Sequence, residues 1–184
     1  MWELKPPQPV KLIVGILGSD ATCLEQAAET LRVRFGPNDQ ISEVWPFTFT
    51  RYYEQEMGST ILRQFLSFER LIHPGDLAGI KHQTNAMEQQ LAQTLKRTVP
   101  RPVNLDPGTI ETSKLVLATT KNFSHRIYIG QGIYAEVTLS FHKGAWLAFP
   151  FTFPDYRSDA YQAFFSRVRE RLREQTRQAG GIEA

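Results

Sequence analysis

The hydrophobic pattern of the first fifty residues predicts a strand, a helix and a second strand. The apolar run Val10 to Leu17 has the length of a buried strand, and Gly18-Ser19-Asp20 turns the chain into a helix with Asp20 as its N-cap. Apolar residues recur on this helix at three- and four-residue steps: Cys23, Leu24, Ala27, Ala28, Leu31 and Phe35. Gly36-Pro37 predicts its end. A second strand is predicted within residues 41–50, where Pro46 favours an edge or a bulge.

The pattern between residues 59 and 100 predicts two helices. Apolar residues in 59–72 fall at mixed three- and four-residue steps, and His73-Pro74-Gly75 ends the run, so a helix is predicted there. Asn85 followed three residues later by Glu88 forms a capping box, which predicts that a further helix begins at Asn85 and stops near Pro100.

The pattern changes to β in the second half of the chain. Strands are predicted at 115–117, 127–129, 133–141 and 145–153, joined by glycine-containing turns. The segment Asn104-Leu105-Asp106-Pro107-Gly108 is predicted to be a tight turn. Ser158 or Asp159 can cap a last helix, whose apolar stripe consists of Tyr161, Phe164, Phe165, Val168 and Leu172.

These elements predict the α+β class. We expect a single domain over residues 1–184, with about four helices packed on a mainly antiparallel sheet built late in the chain. Residues 1–9 are expected to be an extended proline-rich entry, and residues 178–184 a frayed tail. No internal repeat is visible.

Composition narrows the class of protein further. The chain is 41% apolar with a formal net charge of +2, so its overall field indicates neither a dedicated DNA-binding protein nor adsorption to membranes. Its one cysteine, Cys23, falls on the apolar side of a predicted helix and has no partner for an internal disulfide. The sequence contains no signal peptide and no membrane-spanning run, so a cytoplasmic location is expected.

The sequence lacks the motifs of a GTPase site and of a zinc site. The turn at residues 15–20 lacks the Lys and Ser or Thr of a phosphate loop, and Thr120-Lys121-Asn122-Phe123 lacks the carboxylate that reads guanine, so a conventional GTPase is not predicted. The four histidines show no zinc-binding spacing.

The densest group of reactive side chains lies between Lys114 and Leu139. His125, Arg126 and Lys121 are close enough in sequence to meet one anionic ligand, although a solvated strand end explains the same pattern. Dispersed carboxylates offer either magnesium ligands or a general acid and base. These are Asp106, Glu136 and Asp155.

Other surfaces point to a different function. Tyr52 and Tyr53 could clamp a ligand or belong to an aromatic layer. The last helix carries a basic stripe of Arg169, Arg173 and Arg177 interleaved with glutamates. This pattern is typical of a solvated face, and a footprint for RNA or protein is the alternative.

Several short segments together carry a family resemblance over nearly the whole chain. They are Tyr52-Tyr53 with Glu56-Met57-Gly58, Lys81 with Thr84-Asn85 and Glu88, Asn104 to Gly108, Lys114 to Lys121, His125 to Tyr128, Gly132 to Glu136, and Pro154-Asp155-Tyr156. Their order and spacing resemble the prokaryotic family called domain of unknown function 4416. The resemblance implies no activity, but it selects polar positions as site candidates.

We therefore predict one leading function and one alternative. In the first, the sheet presents a polar pocket to a small anionic or phosphate-bearing ligand such as a nucleotide. The candidate catalytic residues are Asp106, His125 and Glu136, and the candidate ligand-binding residues are Tyr53, Lys81, Asn104, Lys121, Arg126 and Asp155. Magnesium is a possible cofactor. The alternative is a module without chemistry that binds protein or RNA.

Overall fold

One antiparallel sheet organises the chain. The structure is a computed structural model that describes residues 3–180, within which nine strands and four helices occur. The strands are β1 (Val10–Gly18), β2 (Asn38–Ile41), β3 (Trp45–Pro46), β4 (Leu62–Ile72), β5 (Val103–Ile110), β6 (Lys114–Thr119), β7 (Ile127–Gly130), β8 (Ile133–His142) and β9 (Ala145–Ala148). The helices are α1 (Ala21–Phe35), α2 (Glu54–Met57), α3 (Leu77–Leu95) and α4 (Asp159–Gly180).

Helices cover the sheet on both faces. The strand order is β2-β4-β1-β5-β6-β8-β7, with β3 added to β4 and β9 to β8. On one face, α1 and α3 pack over Leu12, Val14 and Ile16 of β1. On the other face, Phe164 and Phe165 of α4 join a second cluster with residues of β1, β4, β5, β6 and β8. The middle strands are therefore buried on both sides.

The predicted fold class is confirmed. Residues 3–180 form an α+β fold with one antiparallel sheet and four helices. The strand-turn-helix opening is also as predicted, and the whole predicted apolar stripe of α4 is buried. Of the predicted second strand, residues 41–50, only Ile41, at the end of β2, and Trp45–Pro46, which form β3, lie in strands. The last predicted strand ends at Ala148.

The helix predicted over residues 59–72 is wrong, because this segment forms β4. It pairs with β1 on one side and with β2 and β3 on the other. Phe65 packs into the α4 cluster, whereas Leu66 and Phe68 pack into the α1 and α3 cluster. A strand buried on both faces loses the alternation of apolar and polar residues, so its pattern resembles a helix.

The tight turn predicted at Asn104 to Gly108 is also wrong, because these residues lie within β5. The strand pairs with β1 over its whole length, and Pro107 lies opposite Val14. The pairing of β5 with β6 begins only at Gly108. Proline is tolerated here because its missing N–H lies just outside the ladder with β6.

The capping box predicted at Asn85 and Glu88 does not form. The helix α3 already begins at Leu77, after a short 3-10 turn, so both residues lie in its interior. The Glu88 side chain is buried and accepts a hydrogen bond from the Leu105 backbone N–H instead. In the sequence alone, a buried polar residue inside a helix has the same pattern as a residue that caps the start of a helix.

Two helix starts with aspartate at the N-cap give a matched test of capping. Asp20 Oδ1 accepts a hydrogen bond from the Cys23 backbone N–H at 2.8 Å, whereas Asp76 makes no side-chain cap bond to α3. We expect Asp20→Ala to lower the free energy of unfolding by about 1 kcal/mol. The change Asp76→Ala should have a much smaller effect. Urea unfolding of both variants measures the difference, and equal losses would contradict it.

The ends of the chain add little to this architecture. Residues 3–9 have no regular secondary structure, and α4 extends to Gly180. The rest of the predicted frayed tail, 181–184, lies outside the described residues, as do residues 1–2 of the predicted entry. No helix within residues 3–180 combines the length and apolar composition needed to cross a membrane.

Candidate functional site

A cavity of about 590 Å³ lies on the sheet beside the 3-10 turn Asp155–Arg157 that leads into α4. Five cationic side chains and three carboxylates line it: Arg63, Lys81, Arg101, Lys121, Arg126, Asp106, Glu136 and Asp155. Aromatic rings form much of the rest of its wall: Phe47, Phe49, Tyr52, Tyr53, Phe153 and Tyr156. The size and the mixture of aromatic and charged groups are typical of small-ligand sites.

The cavity forms where β5 and β6 part. Before Gly108 the two strands are no longer paired, so the backbone of β5 needs other partners there. Side chains of α3 supply them. Glu88 Oε1 accepts from the Leu105 N–H at 2.7 Å, and Lys81 Nζ donates to the Leu105 carbonyl oxygen at 2.8 Å.

Glu88 also fixes Arg101 at the edge of the cavity. Its Oε2 accepts from Arg101 Nη2 at 2.8 Å and from Nε at 3.2 Å. Arg101 further donates to Asn104 Oδ1 and to Glu56 Oε2. One buried carboxylate therefore holds both a strand backbone and a guanidinium in place.

Arg63 crosses the sheet at the floor of the cavity. It is almost fully buried, and its Nη2 donates to Asp155 Oδ2 at 3.2 Å. Its Nη1 lies 3.8 Å from Asp106 Oδ2. The guanidinium passes over Gly15, where a Cβ would lie 2.8 Å from Nη1. Glycine at this strand position leaves the space that the arginine occupies.

Asp106 is held from three directions. Asn104 Nδ2 donates to its Oδ2 at 2.6 Å, and Lys81 Nζ lies 3.7 Å from its Oδ1. Arg63 is the third neighbour. The two cations are buried, so they are screened little by solvent and fix the position of the carboxylate.

Glu136 of β8 forms hydrogen bonds with two residues of the segment after β6, His125 and Arg126. Its Oε2 accepts from Arg126 Nε at 2.8 Å and from His125 Nε2 at 3.1 Å, and it is itself buried. The ring of His125 stacks on Phe151 with centroids 4.1 Å apart. Arg126 Nη1 also donates to the Lys121 carbonyl oxygen at 3.0 Å. His125 therefore supports the wall without being one of the cavity-lining residues.

Lys121 and the two tyrosines define the mouth of the cavity. Lys121 Nζ donates to Tyr52 Oη at 2.6 Å, and no carboxylate of residues 3–180 lies within ion-pair distance of it. Tyr53 packs edge-on against Tyr52 and Phe47. Burial raises the pKa of the Tyr53 hydroxyl, and nearby Asp106 raises it further, so this hydroxyl stays protonated at neutral pH.

The structure brings the predicted site residues together. Eight of the nine line the cavity, and the ninth, His125, bonds to the lining residue Glu136. Sequence reasoning missed Arg63 and Arg101. The sequence predicts a helix at Arg63, and only the pairing of β4 and β5 with β1 shows that Arg63 and Asp106 lie on one face of the sheet. Arg101 follows Pro100 in a segment with no recognisable motif.

Two further predictions from the sequence concern a metal ion and the basic stripe of α4. Within residues 3–180 no cluster of three or more His, Cys, Asp or Glu side chains is arranged to hold a metal ion. On α4, Arg173 and Arg177 pair with Glu170, and Arg169 lies over the Phe141 ring and donates to the Thr112 carbonyl oxygen. The basic stripe is thus engaged within the fold.

Comparison with known proteins gives one match. The family model described as "Domain of unknown function (DUF4416)" matches residues 8–172. No curated protein matches the chain. No solved structure matches it either.

Proposed function

Since the chain belongs to the DUF4416 family, a domain of unknown function, we propose from its site that it binds a small phosphate- or carboxylate-bearing organic ligand in the cavity between β5 and β6. Lys121 and Arg126 would hold the anionic group. The aromatic walls would contact the rest of the ligand.

The observation that supports this proposal is the convergence of charges from distant parts of the chain. Arg63 of β4, Lys81 of α3 and Arg126 before β7 all line one cavity. Placing charged groups out of water costs several kcal/mol per ion unless they are paired. Apolar side chains would close this part of the sheet at a lower free-energy cost, so a partly open cavity rich in charge supports the proposal of a binding site.

Lys121 is the cation best placed to receive an anion. It is exposed at the mouth, its partner is the neutral hydroxyl of Tyr52, and a ligand oxygen can replace that hydroxyl without breaking an ion pair. Arg126 shares its charge with Glu136 but still lines the cavity. Two such cations can share one phosphate or carboxylate through charge-assisted hydrogen bonds.

A thermal-shift panel tests the proposal. The purified protein is screened against nucleotides, sugar phosphates, coenzymes and dicarboxylates, each with and without magnesium, because a ligand that binds only the folded state raises the melting temperature. We expect at least one anionic compound to stabilise the protein. Lys121→Gln and Arg126→Gln should each weaken its affinity by about tenfold or more.

Arg173→Gln is the matched control, since this arginine is exposed on α4 and does not line the cavity. It should retain the affinity of the original protein. The proposal fails if no anionic compound stabilises the protein. It also fails if the cavity variants bind as tightly as the control.

A further inference from the structure

Aromatic rings form most of the apolar wall of the cavity. Its aliphatic residues are Leu117, Ala118 and Pro154. Six rings make up the rest: Phe47, Phe49, Tyr52, Tyr53, Phe153 and Tyr156. An aromatic face gains attraction from a second flat ring beyond the area buried, whereas leucine or methionine would serve an alkyl chain equally well. The composition of the wall therefore favours a ligand with a planar ring.

Phe153 has a ring face that no other ring of residues 3–180 covers. It is 44% exposed although it lines the cavity. Its one aromatic neighbour among these residues, Tyr156, is tilted by 47° with the ring centroids 6.4 Å apart. Phe151, two residues earlier, instead stacks with both His125 and Phe149, at centroid distances of 4.1 and 5.2 Å. Phe153 therefore keeps a face at the cavity on which a ligand ring can stack.

Hydrogen bonds on either side of Phe153 fix its backbone. Before it, Thr152 Oγ1 donates to the Thr138 carbonyl oxygen of β8 at 2.6 Å. After it, the Tyr156 backbone N–H donates to the Phe153 carbonyl oxygen at 3.1 Å. Pro154 restricts the backbone of Phe153 further, because it disfavours the helical conformation for the residue before it. The ring is held in place, so little conformational freedom is lost when a ligand binds.

The same part of β8 anchors Phe153 and one of the cations that would hold the anion. Thr138, which accepts from Thr152, lies two residues beyond Glu136 on β8, about 7 Å along the strand. Arg126 Nε is 2.8 Å from Glu136 Oε2. One small ligand can therefore place a ring on Phe153 and an anionic group at Arg126.

We propose that the cavity selects ligands that combine an anionic group with a planar ring, and that this ring stacks on Phe153. The class is aromatic phosphates and carboxylates, among them nucleotides. This inference rests on the proposed function, because it assigns the organic part of the same ligand.

Stacking distinguishes an aromatic ring from a saturated ring of the same size. Two aromatic rings in an offset or edge-on arrangement gain free energy beyond that of the buried area. A saturated ring buries at least as much apolar surface, so burial alone would favour the saturated ligand. The sign of the preference between two such ligands therefore shows whether stacking occurs.

Isothermal titration with phenyl phosphate and cyclohexyl phosphate tests the inference. At about pH 8 both probes carry a doubly charged phosphate, so they differ in the ring alone. We expect phenyl phosphate to bind about three- to tenfold more tightly. Phe153→Leu, which keeps an apolar side chain but removes the ring, should abolish this preference. The matched control is Phe123→Leu, which removes an exposed ring outside the cavity lining and should leave the preference unchanged.

The outcomes separate the two proposals. If both probes bind and depend on Lys121, but cyclohexyl phosphate binds as tightly as phenyl phosphate or more tightly, the planar-ring inference is overturned and anion binding stands. A preference for phenyl phosphate that survives Phe153→Leu overturns the assignment of Phe153. If neither probe binds, this inference is overturned, and the wider panel decides the proposed function. The comparison on the original protein requires no variant, so it holds even if Phe153→Leu folds poorly.

Discussion

Gly15→Ala is expected to lower the free energy of unfolding by about 3 kcal/mol, although it adds only one methyl group. The new Cβ would lie 2.8 Å from Arg63 Nη1 and 2.9 Å from Phe65 Cε1. Neither neighbour can move freely, because the ring is packed among α4 aromatics and the guanidinium is bonded to Asp155. Displacing Arg63 would leave two buried charges poorly paired.

Urea unfolding of Gly15→Ala measures this loss, and Gly79→Ala is the matched control. Gly79 lies in α3, and a Cβ there would meet no atom within 4 Å. Alanine at a helical position raises stability by about 0.5–1 kcal/mol relative to glycine. We therefore expect the two substitutions to have opposite signs. A Gly15→Ala variant as stable as the original protein would show that Arg63 does not depend on this space.

Gly15 illustrates what the sequence could not reveal. Next to Gly18-Ser19-Asp20 it belongs to an apparent strand-to-helix turn, and that local pattern correctly predicts β1 and α1. The need for glycine arises from Arg63, which is distant in sequence and adjacent only after β1 and β4 pair. Contacts of this kind require the register of a sheet, which a local pattern does not contain.

The number of buried faces separates the elements that the sequence predicts correctly from those that it does not. The helices α1 and α4 each bury one stripe and expose the other, so their period is visible in the sequence. The strands β4 and β5 are buried on both faces and carry an arginine, an aspartate and a proline. Burial of both faces removes the period-two signal, and the polar residues imitate caps and turns.

The candidate site was more predictable than the strands that build it. Asp106, Lys121, Arg126 and Glu136 were identified by their chemistry and by the family resemblance, and the cavity brings them together. Arg63 and Arg101, which also line the cavity, are not predicted from the sequence. The sequence predicts that Glu88 caps a helix, whereas its side chain joins α3 to the backbone of β5 at Leu105 and to Arg101, just before β5.

This parting of the strands connects the fold to the proposed function. Pro107 has no N–H with which to extend the ladder toward β6, and α3 provides side chains in place of the missing strand. The same Lys81 that caps the Leu105 carbonyl also lies beside Asp106. The groups that stabilise the open sheet are therefore the groups that position Asp106 in the cavity.

Glu88→Ala should be the most damaging substitution on α3, with an expected loss of about 3–4 kcal/mol in the free energy of unfolding. Removing the carboxylate leaves the Leu105 N–H without an acceptor in a buried position and Arg101 without its closest anion. Glu88→Gln keeps an amide oxygen for the Leu105 N–H but loses the charge. Its loss should therefore fall between that of alanine and the original protein.

Urea unfolding of both variants tests this order, with Glu25→Ala as the control on the exposed face of α1. That surface change should alter stability by no more than about 0.5 kcal/mol. Equal losses for alanine and glutamine would mean that the ion pair with Arg101 matters and the backbone bond does not. If Glu88→Ala were as stable as Glu25→Ala, the side chains of α3 would not be replacing the missing strand pairing, and the open sheet would need another source of stability.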